Sequence, residues 1–142
     1  MMLSISNERL KHSLEVARLM KKTAEDAGWS KQKCEEMFIL GYLHDVGYEF
    51  SEQQCDHASI GGEMLRNQGY KYWQEVSCHG KLEAEYSSKE LDILNMADMQ
   101  IDSKGNHVGA EMRLKDIASR YGIESKQYVE AKLLAQKIGL MK

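Results

Sequence analysis

The 142-residue chain contains no proline and one threonine, and its five valines and eight isoleucines leave β-branched residues scarce. Proline breaks helix interiors and β-branched residues favour strands, so the two shortages together point to an all-α fold. Cysteine is sparse as well: Cys34, Cys55 and Cys78 form an odd set without a CxxC pair. That excludes a disulfide framework and a zinc ribbon. No apolar run approaches the roughly 18 residues of a membrane span, and the opening MMLSISNERLKHS lacks the apolar stretch of a signal peptide. A cytoplasmic protein without membrane partners is expected. Lys+Arg of 19 against Asp+Glu of 22 gives a net charge of -3. Duplex nucleic acid finds no overall positive field here, so any phosphate must be met locally.

What the chain does contain is material for one core, with 42% hydrophobic and 29% charged residues. No linker or internal repeat divides it, so a single domain over residues 1–142 with about six to seven helices is expected. The first helix is predicted from Asn7 to Ala27, with Gly28 as its stop. On its wheel His12 falls on the apolar side with Val16, Met20 and Ala24. Ser30 is a good N-cap for a second helix, which runs through Met37 and Leu40 to the His44-Asp45 pair and is ended by Gly47. After a polar loop from Tyr48, Asp56 caps a helix that His57 opens and Gly69 ends. A short aromatic helix from Tyr70 to Cys78 leads to His79-Gly80. Ser87-Ser88-Lys89-Glu90 reads as a capping box for a helix with Leu91, Leu94, Asp98 and Ile101 on one face. Two last helices, about Gly109 to Tyr121 and Ser125 to Ile138, read as structural.

Histidine and aspartate recur at helix ends or on apolar faces, at His12, His44, Asp45, His57, His79 and Asp98. A lone histidine on an apolar face is ordinarily a hydrogen-bonded core residue. Asp98 is harder to dismiss, because a buried carboxylate is costly unless it is paired or holds a cation. No cationic residue lies three or four positions away, and Asn95 is the polar neighbour on its face. The order H…HD…H…H…D, at intervals of 32, 13, 22 and 19 residues, draws each group from a different helix or helix end. Helix bundles build metal sites in this way. Imidazole and carboxylate ligands without cysteine suit divalent Fe, Mn, Co, Ni or Zn, do not set Mg apart, and six of them exceed one tetrahedral site.

At these residues the chain resembles the HD-domain superfamily of metal-dependent phosphohydrolases. The matching segments are RLKHSLEVA around His12, LGYLHDVGY around His44-Asp45, DHASIGGEML around His57, VSCHGK around His79 and LNMADMQID around Asp98. The resemblance covers roughly residues 8–104, with the helices of 109–138 expected to pack on that region. His12, His44, Asp45 and Asp98 match the family's mononuclear motif. His57 and His79 match the additional histidines of its dinuclear branch, which includes small bacterial enzymes that split dinucleoside tetraphosphates. The resemblance implies one or two divalent ions, with Asp45 bridging two. His12, His44 and Asp98 would then surround one ion, and His57 and His79 the other. Tyr48 stands where many members carry lysine after the HD-x-G turn.

Such a centre lowers the pKa of a bound water to about 7 and polarises a phosphoryl oxygen. The implied function is hydrolysis of a phosphoester or phosphoanhydride in a small phosphorylated substrate, a nucleotide first among them, through a metal-bound hydroxide. Asp45, His57 and His79 are candidate catalytic residues. Lys81 and Lys104 are the cations nearest in sequence for the substrate's charge, with Arg66 third. A homodimer is compatible with this reading. Two alternatives stand beside it: a di-iron oxygenase of the same superfamily, and a non-catalytic helical module that merely holds a metal. Tyr70, Tyr72 and Trp73 read as helix packing, Gly61-Gly62 as a close helix contact and Cys78 as an inert buried thiol. His107 falls outside the site.

Overall fold

The structure, a computed structural model, describes residues 7–49, 57–82 and 84–140. Seven α-helices and one 3-10 turn carry these residues: α1 (Asn7–Asp26), α2 (Lys31–Leu43), the turn Val46–Glu49, α3 (His57–Asn67), α4 (Trp73–Cys78), α5 (Lys89–Asp98), α6 (Ala110–Tyr121) and α7 (Lys126–Lys137). Extended pairing among the described residues is confined to one bridge between Ile101 and His107. The all-α expectation holds.

Helices α1 and α2 form a hairpin across Gly28, whose φ of 78° suits a residue without a side chain. One face of α1 buries His12, Val16, Met20 and Ala24 at four-residue spacing. Ser30 caps α2 by accepting the Lys33 N–H at 3.1 Å. The two helices touch backbone to backbone near the far end, because a Cβ on Gly41 would lie 2.6 Å from the Ala17 Cα. This contact brings the end of α2 alongside His12. Gly41→Ala is expected to force the helices apart and lower stability by about 1–3 kcal/mol, read as a lower urea midpoint. An unchanged midpoint would show that the contact relaxes freely.

Gly47 does not end α2, contrary to expectation. The helix stops at Leu43, and Gly47 lies inside the 3-10 turn, where an added Cβ would fall 1.8 Å from the His57 carbonyl oxygen. Its role is close approach, which seats the turn after His44-Asp45 against the first turn of α3. Gly62 packs similarly on Ser77 of α4, in line with a helix-contact role. The predicted cap at Asp56, like Cys55, lies outside the described residues.

The cap of α5 is Ser88 rather than Ser87. Its hydroxyl oxygen accepts the Leu91 N–H at 2.9 Å and its hydroxyl donates to Glu75 at 2.8 Å, so the buried Glu75 carboxylate on α4 selects which serine caps. The main core joins Val16 and Met20 of α1, Met37 and Leu40 of α2, Val76 of α4 and Leu94 of α5. A smaller cluster of Met99, Ala110, Leu114 and Ala135 seats α6 and α7. No helix among the described residues is long and apolar enough to cross a membrane.

Candidate metal centre

His12 lies within α1, whereas the other five candidates sit at helix ends. His44 and His79 are the C-caps of α2 and α4, Asp45 follows His44, His57 opens α3, and Asp98 closes α5. Helix ends leave their last carbonyls without intrahelical partners. The imidazoles use two of them: His44 Nδ1–H donates to the Gly41 carbonyl at 2.6 Å, and His79 Nδ1–H to that of Val76 at 2.5 Å. His12 Nδ1–H donates to the Asp102 carbonyl at 2.8 Å. A carbonyl partner requires the proton on Nδ1, so each Nε2 is left to present its lone pair to the centre.

The carboxylate of Asp45 stands between two pairs of imidazoles. Its Oδ2 lies 3.3 Å from His44 Nε2 and 3.5 Å from His12 Nε2, while its Oδ1 lies 3.3 Å from both His57 Nε2 and His79 Nε2. Asp98 Oδ1 closes the first side, 2.9 Å from His12 Nε2 and 3.3 Å from His44 Nε2. On the other side the Nε2 atoms of His57 and His79 are 3.1 Å apart.

These donors fit a divalent cation. His44 Nε2 is buried beside two carboxylates yet in hydrogen-bond geometry with neither, which a cation between them would satisfy. Donor atoms of His12, His44 and Asp98 lie within 4.8 Å of one another, as do those of His44, Asp45 and His79. Three helices, α2, α4 and α5, also end at this place, and their negative C-terminal ends favour positive charge.

The electrostatics show what a proton does there. Burial opposes ionisation of Asp45, but the charge of His44 and the close approach of the His44, His57 and His79 imidazoles hold it well below the usual carboxylate range. Burial also opposes ionisation of Asp98, which the close imidazoles of His12 and His44 likewise hold well below that range. Burial disfavours a charged His44, yet Asp45 and Asp98 raise it well above the ordinary imidazole value. Burial lowers His79, and the neighbouring His44 and His57 reinforce the shift. Proton and metal therefore compete for the Nε2 of His44.

Two cavities reach the centre. One of about 340 Å³ is bounded by Asp45, His57, His79 and Asp98. Lys81 lines it, with Nζ donating to the Ser59 hydroxyl at 2.7 Å. The other, about 390 Å³, is bounded by His12, Asp45 and Lys104. Arg66 lines neither of them; its guanidinium lies 4.9 Å from the Trp73 ring centre. Tyr72 belongs to the core, donating its hydroxyl to Glu36. Cys78 is half-buried and its thiol is pushed up by burial. His107 is exposed and meets Glu15 at 2.9 Å.

Helices α6 and α7, expected to be structural, also wall these cavities. Arg113, Arg120, Tyr121 and Lys126 line the first cavity, and Arg113 and Arg120 border the second as well. Asn95 does not partner Asp98; its Oδ1 accepts the Gly80 N–H at 2.9 Å and holds the turn after His79. The partner from outside is Arg113, whose Nη2 lies 3.7 Å from Asp98 Oδ1. Its signal was present in the sequence. Arg113 falls among Ala110, Leu114 and Ile117 on the buried face of α6, and a charge on an apolar face is the anomaly that singled out Asp98.

An all-α scaffold that gathers histidines and aspartates from helix ends around one buried point defines a metal-binding helical domain. More particularly, the chain belongs to the HD domain family, which matches residues 9–138. The match continues past Asp98 through α6 and α7. Neither the comparison with curated proteins nor that with solved structures gives a match. HD domains bind divalent metals and are mostly metal-dependent phosphohydrolases, so a metal-dependent hydrolase-type activity follows in broad terms.

Proposed function

We propose that this protein hydrolyses a phosphoester or phosphoanhydride bond in a small phosphorylated compound, with nucleotides as the favoured substrate class. The observation that carries the reading is the division of Asp45: each carboxylate oxygen faces its own pair of imidazole Nε2 atoms. That division suits two cations: His12, His44 and Asp98 would hold one and His57 and His79 the other, with Asp45 available to both. Divalent cations held there would supply a water acidified toward neutral pH and an electrophile for a phosphoryl oxygen.

The chain's own residues bind and orient. Lys81, fixed by Ser59 beside His57 and His79, is placed to neutralise a phosphoryl oxygen. Lys104 serves the opening on the His12 side. The 340 Å³ cavity lies within the range of small-ligand pockets, about 300–1,000 Å³. Met99, Ile117, Ala131 and Leu134 give it an apolar wall, while Arg120 and Lys126 add positive charge. An organic body with more negative charge than one phosphoryl group suits that lining, which favours a nucleotide over a bare phosphate. Hydrolysis adds hydroxyl to phosphorus and returns a proton to the leaving oxygen, and Lys81 and Lys126 are the ammonium groups lining this cavity.

The test is a phosphate-release screen over nucleotides and other phosphorylated metabolites, run anaerobically with Mn, Co, Fe, Zn, Ni or Mg added. Metal-dependent release without O₂ supports hydrolysis; O₂ consumption with iron and no release would overturn it in favour of an oxygenase. Lys81→Met is expected to raise KM about tenfold with a smaller fall in kcat, the loss of about 1.4 kcal/mol of binding. An unchanged KM would remove Lys81 from the substrate site.

A further inference from the structure

Asp116 lies outside the ring of six, yet it ties together two supports of that ring. Its Oδ2 accepts the Ser103 backbone N–H at 3.0 Å and its Oδ1 accepts the Ser103 hydroxyl at 3.1 Å. The same Oδ2 receives Arg113 Nη1–H at 3.0 Å. Arg113 in turn donates from Nε to the Asp98 backbone carbonyl at 3.2 Å and brings Nη2 to 3.7 Å from Asp98 Oδ1. Ser103 follows Asp102, the residue whose carbonyl receives His12 Nδ1–H.

The segment between them is folded tightly enough to transmit this hold. The Asp102 carboxylate accepts the backbone N–H groups of Lys104 and Asn106, both at 2.9 Å. The Asp102 N–H donates to the Asn106 carbonyl at 3.0 Å. A carboxylate on α6 therefore anchors both the peptide that orients His12 and the guanidinium that orients Asp98. Arg113 is itself buried, so its three contacts to Asp98 and Asp116 also fix where its charge lies. The His57 and His79 side of Asp45 takes its support elsewhere, from Val76 and Asn95.

We propose that Asp116 and Arg113 are positioning residues for the metal centre: they aim His12 Nε2 and Asp98 Oδ1 at one cation and so set its affinity and coordination. The proposal rests on the reading that the centre holds cations, and it is independent of the substrate. Groups hydrogen-bonded to metal ligands ordinarily change affinity by about 10- to 100-fold when removed.

The experiment is a Co2+ titration of the chelator-stripped full chain, followed by visible absorption, with thermal unfolding measured alongside. Asp116→Ala is expected to weaken Co2+ binding about 10- to 100-fold and to shift the ligand-field bands. Arg113→Lys is expected to shift the same bands, because one ammonium cannot meet Asp98 and Asp116 together as the guanidinium does. Ser30→Ala, which removes the cap at the opposite end of α2, controls for stability and should leave affinity and spectrum unchanged. Wild-type affinity and bands in Asp116→Ala would overturn the proposal, as would an equal shift in Ser30→Ala. If Asp116→Ala does not fold, Ser103→Ala carries the test: it removes only the hydroxyl contact, an altered spectrum supports the proposal and an unaltered one overturns it. If the wild type takes up no Co2+, both the metal-centre reading and this proposal fall. If it takes up Co2+ and releases phosphate while the variants match it, this proposal falls alone.

Discussion

Asp45→Ala is expected to lower metal-dependent phosphate release by about 10⁴-fold, on the scale seen when a group central to a catalytic unit is removed. Four imidazole nitrogens lie within 3.5 Å of the Asp45 oxygens, so its loss leaves them facing one another without the charge that gathers them. Asp45→Asn keeps the shape and removes the charge, and it should lose nearly as much. Phosphate release at saturating metal, with far-ultraviolet circular dichroism as the fold control, measures both. Turnover within tenfold of wild type in a normally helical variant would take Asp45 out of the centre, while a structural metal site would leave no turnover to lose.

Metal binding is the second large effect, and its size depends on pH. A ligand that binds only the folded state stabilises it by about 4 kcal/mol at a thousand times its Kd. For a chain of this size, saturating Mn2+ should therefore raise the unfolding midpoint by roughly 10 °C, and a chelator should reverse the rise.

The pH dependence has opposite signs with and without metal. In the metal-free protein the raised His44 contributes stability that is complete below the ordinary imidazole range and is lost as pH rises through its raised value. Cation binding must displace that proton, so affinity falls as pH falls. Asp45 and Asp98, held low, contribute stability present above the ordinary carboxylate value and lost only as pH falls through their depressed values. They stay ionised through the imidazole range and do not alter the trend. The gap between metal-bound and metal-free midpoints should widen from pH 5.5 to pH 8, and a gap independent of pH would contradict protons and metal sharing His44.

The sequence is informative about elements and about the six-residue constellation for local reasons. Helix ends are set by caps and glycines within a few residues, as at Ser30, Gly69 and Gly122, and a histidine or aspartate on an apolar stripe stands out against its neighbours. The misplaced details share a different cause. Ser88 displaces Ser87 because Glu75, 13 residues away, takes its hydroxyl hydrogen. Gly47 serves a contact with His57 rather than a helix stop because α3 folds back onto the turn.

By itself, then, the sequence determined an all-α chain and the order of histidines and aspartates along it, since both follow from composition and helical period. Only the tertiary structure decided that each Asp45 oxygen meets two imidazoles, that Asp98 is answered by Arg113 from α6, and that α6 and α7 wall the cavity. Those facts are distances between residues far apart in the chain. Backbone contact at Gly41 and Gly47 and the hold of Asp116 on Ser103 help to fix them, and neither depends on a residue's near neighbours in sequence.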